Sequence, residues 1–273
     1  MMKIRDFSRP PGKPFHLAEI DPGKTGKIKK EEAQERLAEN QKRLTSLQNR
    51  FFAARSHSLL IVLQAMDGGG KDGTIRSVMG AFNPQGVEVT SFKVPTPEEL
   101  SHDFLWRVHN RIPGRGTIGI FNRSHYEDVL VVRVKELVPE PVWRPRYEAI
   151  SQFEKLLADN STRIVKIFLH ISPEEQAERM KDRMTDPDEY WKFNPGDLEE
   201  RRRWPDYMAA YEEALSRCNT SWAPWYVVPA DHKWYRNLLV SEILVATLEG
   251  MHLEYPKPPP DAKTYRVPKV KWP

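Results

Sequence analysis

Apolar positions along the chain fall into two kinds of block. Short, mostly apolar runs occur at 59–63, 87–92, 117–121, 163–170 and 225–228, each of strand length. Between them lie longer stretches with helical spacing. The first strand, Leu59 to Leu63, is apolar without a break, as expected of a strand buried on both faces of a parallel sheet. A helix predicted over 29–54, carrying Leu37, Leu44 and Leu47, precedes it. Strands alternating with helices imply an α/β fold around a parallel sheet, with ligands bound at the carboxyl ends of the strands. Asp67, Asn122 and Ser172 would meet there.

Two segments lack this rhythm at the ends. Residues 1–28 read as an irregular N-terminal arm rich in Pro, Gly and Lys, and 255–273 as a Pro- and Lys-rich C-terminal tail. The tail is either loosely held or laid across a neighbouring subunit. The 29–254 region is then one domain, as 273 residues do not demand a second core. Within it, 179–204 is dense in charges and aromatics, with two prolines and no strand. We read it as a lid, since long insertions in compact domains usually serve function; a solvated helical pair is the alternative.

The first strand empties into Asp67, Gly68, Gly69, Gly70, Lys71, Asp72, Gly73 and Thr74. Three glycines allow positive φ, and a helix start turns free N–H groups and partial positive charge toward one point; Lys71 adds a full charge. This order of parts cradles a phosphate chain. Against the pattern G-x-x-x-x-G-K-[ST], Ala65 replaces the first glycine and Asp72 stands at the hydroxyl position, where it cannot simply substitute for a metal-ligating hydroxyl. The bland alternative is a glycine-rich turn with a surface lysine.

A phosphate-loop enzyme ends its third strand with an Asp that holds magnesium through water. The matching position here is Asn122, followed by Arg123. Asp67 can replace the missing charge, because a carboxylate beside phosphates has little use without a divalent cation between them. Otherwise Asp67 caps the next helix.

Composition excludes more than it assigns. Hydrophobic residues are 39% and charged residues 29%, with no apolar stretch near the roughly 20 residues of a membrane helix and no secretory segment at the N-terminus. A cytoplasmic protein without a membrane partner is expected. Net charge is +4, which permits an anionic partner without specifying one. Cys218 is alone, so neither an internal disulfide nor a cysteine-based zinc site exists, and it reads as a small buried hydrophobe. His125, His170 and His232 lack metal-ligand spacing and read as structural; a hydrolase elbow of the G-x-S-x-G kind is absent.

Four segments, AMDGGGKDGT, FNRSHYEDVLVVRV, DPDEYWKFNPGDLEER and WYVVPADHKWYRNL, resemble in that order the polyphosphate kinase 2 family, over about residues 59–248. The resemblance implies a three-layer α/β/α phosphate-loop kinase with a helical lid, moving the terminal phosphoryl group between inorganic polyphosphate and nucleotides. It implies magnesium, with manganese as a substitute, near Asp67 and Asn122, the latter through water. Lys71 and Arg123 would hold the transferred phosphate, and Arg183 would swing in from the lid. Glu127, where many relatives carry Asn, resembles the subgroup that accepts both AMP and ADP, giving ADP and ATP. A homo-oligomer is implied as well.

A polyphosphate chain needs a basic channel, for which Lys93, Arg107, Arg111, Arg115, Arg133 and Lys135 are candidates. Trp191 and Phe193 would either stack on adenine or pack the lid. The nearest rival is an ATP-dependent nucleoside monophosphate kinase. A non-enzymatic polyanion binder ranks lower, and no nucleic-acid partner is expected, as the base-stacking motifs of RNA modules are missing.

Overall fold

The computed structural model describes residues 4–270. Five strands, β1 (Ser58–Ala65), β2 (Val87–Ser91), β3 (Ile118–Asn122), β4 (Thr162–His170) and β5 (Trp225–Pro229), form one sheet in the order β2-β3-β1-β4-β5. Every pairing is parallel. All five strands expected from the apolar runs are present, with ends shifted by no more than three residues.

Period-two alternation divides each central strand between two cores. Leu60 and Val62 of β1 face one hydrophobic cluster, and Leu59, Ile61 and Leu63 face the other. The second cluster is closed by α1 (Lys30–Ala54), α2 (Lys71–Val78) and α7 (Lys233–Glu249), through Leu44, Phe51, Val78, Leu239 and Ile243. The first is closed by α3 (Arg146–Asp159) and α6 (Trp204–Arg217), through Ile150, Phe153, Ala210 and Tyr211. Two further helices, α4 (Pro173–Thr185) and α5 (Pro195–Arg202), build the region read as a lid. The architecture is therefore three-layer α/β/α.

The N-terminal arm is irregular, but it is not a surface appendage. Phe15 and Leu17 are buried in the first cluster. The Phe15 amide donates to Ser216 Oγ at 2.9 Å, and Asn219 Nδ2 donates to the Arg9 carbonyl at 2.8 Å. Residues 255–270 of the tail are exposed throughout; the last three residues of the sequence lie outside the described range. Among the described residues no helix is long and apolar enough to cross a membrane.

One polar feature interrupts the core. Lys166 takes an inward position on β4 between Ile164 and Phe168, fully buried. Its ammonium donates to Glu154 Oε2 at 2.5 Å, Tyr126 Oη at 2.8 Å and the Cys218 carbonyl at 2.6 Å, while His125 Nε2 lies 3.2 Å from Glu154 Oε1. All three donor hydrogens of the ammonium have acceptors, the condition for keeping such a charge inside. The network lies directly beneath the turn that carries Arg123 and Glu127. His125 and Cys218 are thus structural, and burial pushes the Cys218 thiol up to about 11.

Candidate active site

Each glycine of the loop after β1 answers a different steric demand. Gly68 and Gly70 have φ of 79° and 94°, in the left-handed region. Gly69 has no room for a side chain, since a Cβ would lie 2.5 Å from Ala65 Cβ. Gly70 caps α2, leaving the Gly70, Lys71, Asp72 and Gly73 amides without partners inside the helix, the standard setting for an anion. Lys71 Nζ donates to the Ala65 carbonyl at 2.9 Å, which folds the side chain back along the loop. Burial lowers its pKa, with Asp67 pulling the other way. The Thr74 hydroxyl is turned inward onto the Gly70 carbonyl at 3.1 Å and presents nothing to a ligand.

Register brings the second half of the site alongside. Leu63 of β1 pairs with Asn122 of β3, so the loop and the turn after β3 leave adjacent strands at one level. Asn122 Nδ2 donates to Asp72 Oδ1 at 2.6 Å, and Arg123 Nη2 to Asp67 Oδ1 at 2.7 Å. Arg123 has a φ of 62°, uncommon for a side chain with a Cβ, and its amide bonds the Leu63 carbonyl at 3.1 Å. Burial opposes its charge, but Glu127 and Asp67 outweigh burial and hold the guanidinium firmly protonated. Burial pushes the Glu127 carboxyl up, against the pull of Arg123 and Lys71.

Asp67, Arg123 and Glu127 line a cleft of about 260 Å³ whose far wall is the region read as a lid. Asn194, Gly196, Asp197 and Glu200 form that wall, with Tyr207 and Tyr211 from α6. Arg183 stands behind it, bonded to Asp197 at 3.0 Å. Burial and Asp67 together raise the Asp197 pKa against the pull of Arg183, which puts the lid carboxyl within electrostatic reach of the loop. The region read as a lid is helical and holds no strand. It begins earlier than residue 179, because α4 starts at Pro173, capped by the Ser172 hydroxyl on the Glu175 amide at 3.1 Å.

The basic channel candidates scatter. Lys135 lines the cleft, paired with Glu200, and Lys93 is exposed next to the cleft residue Val94. Arg107 is buried and donates to the Lys93 carbonyl at 2.9 Å, so it braces the segment after β2 and is not a channel wall. Arg133 is taken up by Glu213 at 2.6 Å and by Tyr147. Arg111 and Arg115 precede β3; the Gly116 amide next to Arg115 bonds the His57 carbonyl at the start of β1, so Arg115 belongs to the opposite, amino end of the sheet, and neither arginine lines the cleft. Closeness in sequence to a strand does not say which end a side chain serves. Trp191 is 80% exposed with its Nε1 on the Asp188 carbonyl, and neither it nor Phe193 lines the cleft. The aromatic lining comes from Tyr207 and Tyr211.

Sequence reading missed three buried residues around the loop. Gln176 Nε2 donates to the Asp67 carbonyl at 2.7 Å. Arg179 donates to the carbonyls of Gly68 at 2.9 Å and Ala230 at 2.6 Å. Arg236 lies against Gly70, bonded to Asn237, with burial and then Arg179 lowering its pKa to about 10. Their partners are mostly backbone atoms far along the chain, which leave no local motif.

The chain is similar in sequence and fold to known proteins. The profile of the family described as "Polyphosphate kinase 2 (PPK2)" matches residues 27–256. The chain is 54% identical over 246 residues to a protein of Meiothermus ruber named AMP/ADP-polyphosphate phosphotransferase, covering 89% of this chain and 92% of that one. It is 46% identical over 243 residues to an ADP-polyphosphate phosphotransferase of Rhodopseudomonas palustris, covering 85% and 84%. A crystal structure of polyphosphate kinase 2 from Arthrobacter aurescens TC1 superposes with a TM-score of 0.89 at 44% identity, over 92% of this chain and 90% of that one.

Proposed function

Since the chain belongs to the polyphosphate kinase 2 family, we propose that it transfers the terminal phosphoryl group of inorganic polyphosphate to AMP and ADP, reversibly and with a divalent cation. The observation that carries this reading is the convergence of Asp67 and Arg123 on one cleft, 2.7 Å apart, with Lys71 folded along the loop within electrostatic reach of both.

The chemistry asks little of a base. An acceptor phosphate oxygen is already ionised near neutral pH, so the obstacle is repulsion between two polyanions. Lys71 and the free amides of α2 bind the donor end at the loop. Arg123, fixed by Asp67 and by its bond to Leu63, orients the group in transit. Arg183 answers it from the lid, and closing the lid excludes water that would otherwise take the phosphoryl group. Each fixed positive contact is worth about 3 kcal/mol at the barrier.

The oxygen donors of Asp67, Asp72 and Asn122 suit magnesium or manganese. Among the described residues no group of three or more His, Cys, Asp or Glu forms a cage. That fits magnesium, which is held by one or two carboxylates together with substrate phosphates. When bound, such an ion neutralises charge on the bridging phosphate oxygens. On this proposal ATP is the product of the second transfer, and a cytoplasmic homo-oligomer is the working form.

Purified protein mixed with AMP, magnesium and polyphosphate, without ATP, tests it. Successive appearance of ADP and ATP is expected. An ATP-dependent nucleoside monophosphate kinase would give neither product, and that result would overturn the proposal.

A further inference from the structure

The loop that carries Asp67 is held from outside by the root of the lid. Gln176 sits on α4, 1% exposed, and spends both ends of its amide. Its Nε2 donates to the Asp67 carbonyl at 2.7 Å, and its Oε1 accepts from Arg201 Nη1 of α5 at 2.8 Å. Arg201 also donates to the Pro173 carbonyl at 2.7 Å, tying α5 to the first residue of α4. The Gln176 stem lies flat on the loop, with its Cγ 3.4 Å from where a Gly68 Cβ would be.

A peptide unit is planar and trans, so fixing a carbonyl on one side fixes the next N–H on the other. With the Asp67 carbonyl turned out onto Gln176, the Gly68 N–H is turned to the opposite side of the loop. Gly68 itself imposes no preference on this peptide, because glycine takes either sign of φ readily. The turn is closed by the Gly69 amide on the Met66 carbonyl at 2.9 Å and Arg179 holds the Gly68 carbonyl, but the Asp67 carbonyl itself is held by Gln176. We propose that Gln176 is a positioning residue for the phosphoryl transfer: it sets the orientation of the Asp67–Gly68 peptide and, through Arg201, links that orientation to the lid. The role in transfer rests on the function proposed above, whereas the orientation itself does not.

Gln176→Glu separates the two bonds. A carboxylate still accepts from Arg201 but has no hydrogen for the Asp67 carbonyl. Gln176→Met removes both bonds and keeps the bulk, and Arg201→Met removes only the lid side. Hydrogen exchange of the segment 66–74, read by mass spectrometry, reports the loop, and steady-state turnover with AMP and polyphosphate reports the chemistry.

In Gln176→Glu, exchange is expected to rise severalfold in that segment alone, with kcat down about fivefold, as for one hydrogen bond of average worth, and KM for AMP little changed. Gln176→Met should match it if it folds, and Arg201→Met should loosen the loop less. Unaltered loop exchange in Gln176→Glu overturns the proposal whatever happens to turnover. Raised exchange with unchanged kcat overturns the catalytic half. If the wild-type protein shows no turnover, the proposed reaction fails, and loop exchange still decides the positioning.

Discussion

Asp67 and Arg123 face one another at 2.7 Å, joining the loop after β1 to the turn after β3 through a single ion pair half open to the cleft. Neither side chain is spent on structure elsewhere. Asp67→Ala, Lys71→Ala and Arg123→Ala should therefore each abolish most turnover, by about a hundredfold or more, corresponding to roughly 3 kcal/mol of lost charge stabilisation. Thermal unfolding midpoints close to the wild-type value would show that the variants fold. Near-normal turnover in a folded Asp67→Ala or Lys71→Ala variant would remove the basis of the assignment.

Gly70→Ala meets two obstacles at once. The residue sits at φ 94°, and the new Cβ would fall 1.9 Å from Arg236 Nη1. The backbone alone costs about 1–2 kcal/mol for a residue with a side chain, and Arg236 must move as well. The expectation is a clear fall in stability together with loss of activity. Adding Arg236→Ala should recover part of the stability, because space is restored while φ remains unfavourable. Denaturant melts of the single and double variants measure both steps.

Glu127 gives a pH signature. Burial holds its proton to a pH above the ordinary 4.5, although Arg123 and then Lys71 act against this. A carboxyl raised in the folded state stabilises the fold below the unfolded value, and the contribution is lost as pH rises through the raised value. Glu127→Gln should thus melt higher than the wild type at pH 8 without nucleotide, with the gap shrinking toward pH 4.5. A gap that is constant over this range would refute the shift. Lys71 runs the other way with pH: burial lowers its pKa, so its charge weighs against the fold and that penalty is relieved as pH rises.

Lys166 and Glu154 are fully buried, and removing either leaves the other's charge without its partner. Lys166→Met should lower stability by about 3–5 kcal/mol. Replacing Glu154 by Leu in the same chain should restore a part of this, limited by Tyr126 and His125, which would lose their acceptor. Urea unfolding of the three variants closes the cycle. A loss in the double variant equal to the sum of the two single losses would argue against coupling between the two residues.

The fold was legible where burial on both sides makes a strand continuously apolar, as in Leu59–Leu63. The candidate site could be read for a local reason: Asp67 and Lys71 follow β1, and Asn122 and Arg123 end and follow β3, two strands that turn out to be neighbours. Phe15 and Leu17 escaped notice because two apolar residues among prolines show no period, and only the structure reveals the gap beside α6 that they fill. The arginines around β3 misled because sequence distance carries no sign: Arg115 and Arg123 flank the same strand at opposite ends. Gln176 and Arg179 were invisible because carbonyl partners more than 50 residues away leave no motif, and Arg236 because only the fold brings it against Gly70. Lys166 was hidden inside a strand whose other inward positions are apolar.

Leu63 opposite Asn122 on one side of β1, and Ala65 opposite Leu169 on the other, make the central strand a ruler shared by both halves of the cleft. Sliding β3 by a single residue would carry Asn122 some 3.3 Å along the sheet and turn its side chain to the wrong layer. Inheritance can therefore retune this protein through its lid and its turns, whereas an insertion or deletion within either strand would be expected to silence it outright.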